Sequence, residues 1–153
     1  MQPVKCEIRD MRPDDESMLF LLAEECLHPL AVGSGHGELY HPDELIDLIK
    51  HATVFVAESH GEIAGYVAVE HEDDALVVRC LCIGPAFEAR GVSHQLIDWV
   101  EGLAFNEQLP RLRAVLPQSD LPSRHVYGEH EFVPRAASDR PETIIMEKRL
   151  PMA

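Results

Sequence analysis

Positive charge is scarce in this chain. Against 27 acidic side chains, its 153 residues hold only 13 Lys and Arg, giving a formal net charge of −14 with histidine neutral. Lysine is confined to Lys5, Lys50 and Lys148. That shortage argues against a broad surface for nucleic acid or anionic membrane, because phosphates need a matching field of cations. It is compatible with a cationic acceptor such as an amine, although acidity also serves solubility alone. No apolar run reaches the length of a membrane span, and the start, MQPVKCEIRD, lacks a signal-peptide core. A cytoplasmic protein with no membrane partner is expected. The cysteines, Cys6, Cys26, Cys80 and Cys82, lack the C-x-x-C spacing of zinc and redox sites. Cys80 and Cys82 are two apart, face the same way on a strand, and read as buried free thiols. No repeat, linker or low-complexity tract divides the chain, so one domain over residues 1–153 is expected.

What is present is a regular alternation of short elements. Val4 to Arg9 alternates as a strand. Arg12-Pro13-Asp14-Asp15 then opens a helix with acids in its first turn, and Met18, Leu19, Leu22, Cys26 and Leu27 form the apolar stripe up to His28-Pro29. Residues 29–41, rich in glycine, read as a loop, and His41-Pro42-Asp43 opens a second helix with Leu45, Ile46, Leu48 and Ile49 inward. Strands follow at Thr53 to Ala57, Ile63 to Glu70 and Ala75 to Ile83, joined by turns at Ser59 to Glu62 and His71 to Asp74. A helix spanning Val92, Leu96, Trp99, Val100 and Leu103 would bury those five. Beyond Gln108-Leu109-Pro110 come a strand at Leu112 to Leu116, a short helix holding Val126 and Tyr127, and strands at Glu131 to Pro134 and Thr143 to Glu147. The order β-α-α-β-β-β-α-β-α-β-β predicts an α/β fold on a mixed sheet.

The chain is organised around Leu81 to Val100, where a strand ends and a helix begins. Helix starts present free N–H groups and the positive end of the dipole, and Gly91 has no Cβ to keep a guest away. A phosphate suits that turn. A lone glycine there is equally well a structural turn, so the neighbouring residues decide. The run Leu81-x-Ile83-x-Pro85-x-Phe87-Glu88-x-Arg90-Gly91-Val92-Ser93 resembles the acetyl-CoA-binding motif of the GCN5-related N-acetyltransferases, L-x-V-x-P-x-[YF]-[QR]-x-[KR]-G-x-[GA]. Glu88 and Ser93 depart from it. The element order matches the same family, so the resemblance covers nearly the whole chain. It implies an acyl-CoA N-acyltransferase fold, with acetyl-CoA in a split near the middle of the sheet and no metal cofactor.

A second run, Asp120-x-x-Ser123-x-x-x-Tyr127-x-x-x-Glu131-Phe132, resembles the family's N-x-x-[AS]-x-x-x-Y-x-x-x-G-F signature, with Asp120 for Asn and Glu131 for Gly. Asp120 is placed to cap the helix. The resemblance implies that Tyr127 protonates the departing CoA thiolate, and a phenol with pKa about 10 suits a thiol near 8.5. It also implies that Leu81, Cys82 and Ile83 offer backbone groups to the acetyl carbonyl and pantetheine. Glu88, Ala89, Arg90, Gly91, Val92 and Ser93 would cradle the pyrophosphate, with Asp120 and Ser123 beside the cofactor. A carboxylate at Glu88 opposes phosphate unless it turns to solvent.

The base is less well marked. Val77 and Arg79 stand where several family members carry a carboxylate or histidine, and neither serves. Glu70, with His71 and Glu72, is the substitute at hand, although a solvated hairpin explains those three as well. Ser34, His36 and Tyr40, in the glycine-rich loop, are the candidates for contact with the acceptor, a small-molecule or peptide amine. His36 and His41, and His125 and His130, are five apart, not at the i, i+4 spacing that pairs imidazoles on a helix, so no metal site is expected. The reading is an acetyl-CoA-dependent N-acetyltransferase, by analogy a homodimer. Its rival is a catalytically silent module of the same fold that binds an acyl-CoA or a protein partner.

Overall fold

A computed structural model describes residues 3–22, 42–118, 120–135 and 143–151, with the backbone alone at 42–46. The strands are β1 (Glu7–Asp10), β2 (Thr53–Ser59), β3 (Glu62–Glu72), β4 (Ala75–Ile83), β5 (Arg111–Pro117), β6 (Val133–Arg135) and β7 (Thr143–Arg149). The helices are α1, described over residues 16–22, α2 (Pro42–His51), α3 (Val92–Asn106) and α4 (Leu121–Glu129). One sheet carries the strands in the order β1-β2-β3-β4-β5-β7-β6. Every neighbouring pair is antiparallel except β4 with β5. The expected mixed α/β architecture and its element order are present.

Two apolar clusters cover the two faces of the sheet. On one, Val92, Leu96, Ile97, Val100 and Ala104 of α3 meet Phe55, Val67, Val69, Leu76, Val78 and Leu112, and α4 adds Tyr127. On the other, Leu19, Leu22 and Ile49 cover Val54, Val56, Tyr66, Ala68, Cys80 and Cys82. Full burial of each such side chain contributes roughly 1.5–3 kcal/mol. Cys80 and Cys82 do face the same way, and both are buried thiols, not joined in a disulfide.

Several boundaries and one stripe differ from expectation. Trp99 is 41% exposed rather than inward, because the buried stripe of α3 runs at Val92, Leu96, Val100 and Ala104 and leaves Trp99 at its margin, edge-on to Phe55. Met18 is likewise 45% exposed, with Leu19 and Leu22 carrying the contact. β3 continues through His71 and Glu72, so the turn is Asp73-Asp74 alone, with Asp73 at φ 54°. β1 begins at Glu7 and β6 at Val133, each later than the sequence suggested. Cys26, Leu27, the stop at His28-Pro29 and the side chains of Leu45 and Ile46 lie outside the described residues.

The half of the sheet beyond α1 and α2 carries charge where that second cluster stops. Arg111 and Arg113 alternate along β5 with the buried Leu112 and Ala114. Glu147 Oε1 of β7 lies 3.9, 3.1 and 3.3 Å from Arg111, Arg113 and Arg135.

Near the start of the chain, Asp15 is buried by a bidentate pair with Arg9 (2.8 and 3.1 Å) and accepts the Arg12 backbone N–H at 2.7 Å. The Arg9 guanidinium holds the Asp15 carboxyl below its ordinary value, against the opposing effect of burial. A carboxyl depressed in the folded state stabilises above its unfolded pKa, about 3.9, and loses that contribution as pH falls through the folded value. Asp15→Asn is expected to cost about 2 kcal/mol at pH 7. In urea melts the difference from the parent should shrink progressively as pH is lowered below about 4.

Candidate active site

The cleft is made by a strand with one residue too many. β3 and β4 run in register from Gly65–Ile83 to Ala68–Cys80, and then the pairing jumps to Val69–Val78, leaving Arg79 as a bulge. A bulged strand bends and twists more than its neighbour. The alternation inverts there: Leu76 and Val78 face the α3 side, but Cys80 and Cys82 face the α1 side. The register of β4 with β5 ends at Val78–Ala114. Beyond it β4 continues with β3, and β5 with β7. The fork between them is lined by Val78, Arg79, Cys80 and Leu81 on one side and by Val115, Leu116 and Pro117 on the other. Asp120, Ser123 and Tyr127 of α4 line it as well.

Gly65 sets how closely the strands approach at the open end. A Cβ on it would stand 2.6 Å from the Cys82 carbonyl oxygen. Any side chain there would push the end of β4, the stretch expected to hold the acyl group.

From Ile83 the chain passes through a single turn at Pro85–Phe87 and a tight bend over Glu88 to Gly91 into α3. Ala89 (φ 59°) and Gly91 (φ 83°) are both left-handed, and Gly91 is the N-cap of α3. No Gly91 side chain caps that helix, and its first turn holds no acid. The N–H groups there suit an anion. α4 differs, because Asp120 Oδ1 accepts the Ser123 N–H at 3.1 Å as expected of a cap. Glu88 is exposed, so its carboxylate can turn to water. Arg90 lies 5.6 Å from the Phe87 ring centroid. Val92 is buried against the sheet, leaving its backbone as the part that faces the turn, while Ser93 is half-buried.

A residue that the sequence reading passed over holds this bend. Gln95 Oε1 accepts the Cys6 N–H at 2.8 Å, and its Nε2 donates to the carbonyls of Val4 (2.6 Å) and Gly91 (3.3 Å). The Val4 N–H donates to the Arg90 carbonyl at 3.0 Å. The segment before β1 thus straps the bend through one amide. Burial pushes the nearby Cys6 thiol up, against the pull of the Arg90 guanidinium. Nothing in the local sequence pattern marks Gln95 for this role.

Tyr127 is 3% exposed and lies at the side of the fork. The end of α4 fixes it. The Phe132 N–H donates to the Tyr127 carbonyl at 3.1 Å, the Glu131 N–H donates to the Gly128 carbonyl at 3.0 Å, and Glu131 is left-handed at φ 70°. That is a Schellman ending, with its hydrophobic contact supplied by the Tyr127 and Phe132 rings at 5.1 Å. Glu131 occupies the position that favours glycine. Glu131→Gly is therefore expected to stabilise the protein by about 1 kcal/mol, the left-handed penalty less the added unfolded-state freedom. A calorimetric melt should show a rise of about 3 °C.

The structure distributes the remaining site residues as follows. Leu81, Cys82 and Ile83 close β4, although the Cys82 side chain turns away from α3, and its thiol donates to the Leu22 carbonyl at 3.3 Å. Glu70 pairs in register with Val77, on the closed side of the fork, and lies 3.8 Å from Arg79. Glu72 also meets Arg79, at 3.1 Å, and His71 Nε2 lies 3.2 Å from Glu107 Oε1, so these three are solvent-facing side chains with polar partners. Val77 is buried. Ser34, His36 and Tyr40 lie outside the described residues. His125 is exposed and pairs with Glu129, whereas His130 packs against His94.

A seven-strand mixed sheet forked between its parallel pair, with a helix start beyond one arm and a buried tyrosine at the side, is the architecture of an acyl-CoA-dependent transferase. A family model described as the acetyltransferase (GNAT) family matches residues 17–132. The chain belongs to that family. No curated protein matches it by sequence. Among solved structures it is similar to the PaiA N-acetyltransferase of Thermoplasma acidophilum in complex with coenzyme A. That pair shares 16% identity at a TM-score of 0.80, over 96% of this chain and 100% of the other. It is similar too to the ribosomal-protein-S18-alanine N-acetyltransferase of Escherichia coli (13% identity, TM-score 0.76, 97% and 96% covered) and to Ard1 of Thermoplasma volcanium (17%, 0.75, 97% and 99%). Family and fold together support acetyl transfer from an acyl-CoA. Among the described residues no helix is long and apolar enough to cross a membrane.

Proposed function

We propose that this protein moves the acetyl group of acetyl-CoA to a primary amine of a small molecule or a protein by direct transfer. The observation that carries the reading is the fork between β4 and β5 with Tyr127 buried at its side and the uncapped start of α3 beyond it. Acetyl-CoA supplies an activated thioester. The chain's residues bind it, orient it and move a proton. The N–H groups after Gly91 hold the pyrophosphate. A backbone N–H near Leu81 stabilises the charge that develops on the acetyl oxygen. As the amine nitrogen bonds to the carbonyl carbon and the carbon–sulfur bond breaks, the Tyr127 hydroxyl gives its proton to the departing sulfur and recovers one from solvent. The amine proton leaves through water or a carboxylate, for which Glu70 is the candidate named by sequence. The chain's acidic balance suits a cationic acceptor, and two neighbours that carry N-acetyltransferase in their names support nitrogen as the acceptor atom.

The test is calorimetric titration with acetyl-CoA and, separately, with CoA, followed by thiol release against a panel of amines. Micromolar binding with amine-dependent release supports the proposal. Binding without release to any amine supports the silent acyl-CoA module, and no binding at millimolar ligand overturns both.

A further inference from the structure

A polar cluster joins α3 to the end of α4; its residues are not among those lining the fork, and acetyl transfer makes no use of it. His94, Asp98 and Glu101 stand at i, i+4 and i+7 on one face of α3. His130, the C-cap of α4, comes down on that face. Its ring meets that of His94 edge to edge, with centroids 5.0 Å apart and planes 27° apart, and His94 Nδ1 lies 2.8 Å from His130 Nε2. The other ring nitrogen, His130 Nδ1, is 3.5 Å from Asp98 Oδ1 and 3.6 Å from Glu101 Oε1. The ligand atoms of Asp98, Glu101 and His130 all lie within 4.8 Å of one another. The His130 side chain is only 12% exposed, so the cluster is walled on one side.

We propose that this cluster is a site for a divalent transition-metal ion of the zinc class, held by His130 Nδ1 and the carboxylates of Asp98 and Glu101, with water completing the shell. Two features of the cluster suit it. The first is spacing. Ligands 2.0–2.2 Å from a tetrahedral ion stand roughly 3.3–3.6 Å apart. Both histidine-to-carboxylate separations already have that value, and the exposed Asp98 needs only a side-chain turn to complete the third. The second is the proton between the imidazoles. A 2.8 Å contact between two ring nitrogens needs one donor and one acceptor. The contact admits either direction, and a bound ion would select His130 Nε2–H donating to His94 Nδ1, with the Nδ1 lone pair of His130 turned to the ion between the carboxylates. That is the tautomer a metal needs, oriented by a partner behind the ligand. An imidazole with two carboxylates favours zinc over magnesium or calcium, which prefer oxygen alone.

One group competes. Lys148 Nζ lies 3.0 Å from Glu101 Oε1 and neutralises it in the metal-free arrangement. An ion would displace that ammonium. The site would also clamp α4, three residues after Tyr127, to the helix whose first turn forms the bend at Gly91.

The test uses tag-free, chelator-stripped full-length protein titrated with zinc chloride, with magnesium chloride in parallel, followed by calorimetry and thermal melting. Expected are one zinc per chain, a zinc-dependent rise in Tm, and no response to magnesium. D98N and H130F should each abolish binding, His94→Phe should weaken it about 10- to 100-fold by removing the orienting partner, and Lys148→Met should tighten it. Because His130 also ends a helix, H130F can lose its fold; D98N, at an exposed position, tests the site without that complication. No binding in the parent overturns the proposal. So does zinc binding that survives in D98N, since it would come from other histidines of the chain.

Discussion

Tyr127→Phe is expected to lower the turnover of amine acetylation by at least about 100-fold while leaving the affinity for acetyl-CoA within about twofold of the parent, the lower end of what a positioned general acid contributes. The substitution is clean because of how the residue is held. Its ring is buried and packed on Phe132, and the Schellman hydrogen bonds use its backbone carbonyl. Phenylalanine keeps the packing and the helix end and removes one hydroxyl. Stability should fall by no more than about 1 kcal/mol, the net value of one hydrogen bond. Turnover read by thiol release, affinity by calorimetry and Tm by melting together separate the roles. A loss in turnover alone supports proton donation to the sulfur. Unchanged turnover would leave Tyr127 as a core residue, which its burial explains by itself, and would remove it from the mechanism.

The second large effect falls on the bend. Gly91→Ala is expected to weaken acetyl-CoA binding by at least about tenfold and to lower Tm by roughly 2–6 °C. Inside the protein a methyl at this position meets nothing within 4 Å, so no clash of the folded chain contributes. The stability loss comes from the backbone, since φ of 83° costs an L side chain about 1–2 kcal/mol. The affinity loss has a different origin. In the proposed binding mode the pyrophosphate enters the empty space in front of Gly91 to meet the α3 N–H groups, and a methyl would occupy that space. Titration at a temperature where the variant is fully folded distinguishes the two. An affinity equal to the parent's would place the phosphates elsewhere.

The element order was legible because the apolar residues are spaced by the elements they belong to, and the bend was legible because glycine and proline punctuate it. Features set by pairing across the sheet were not. The bulge at Arg79 depends on register with β3, and its only trace in the sequence is a charged residue inside the apolar run ALVVRCLCI. Trp99 has the right spacing for a buried stripe, but that stripe is centred four residues apart along Val92, Leu96 and Val100, and the wider periodicity admits one flank too many. His94 and His130 are 36 positions apart, and spacing rules that compare neighbours in the chain do not reach that far. Gln95 escaped for a related reason, since its partners are Val4 and Cys6. Glu131 shows the opposite case. It reads as a lost glycine, yet the left-handed turn persists with a glutamate in it.

The single extra residue in β4 makes chain length there a stricter requirement than residue identity. Removing Arg79 would let the β3 pairing run on without a jump, with Cys80 to Ile83 keeping their β3 partners and their faces but losing the bend and added twist that the bulge gives β4. The strand would then continue straight beside β5, and the fork between the two would close. No substitution repairs that. Sequences that drift far apart while keeping the cleft should therefore tolerate exchanges throughout β4 and lengthening in the Asp73-Asp74 turn, but neither insertion nor deletion between Val78 and Cys80.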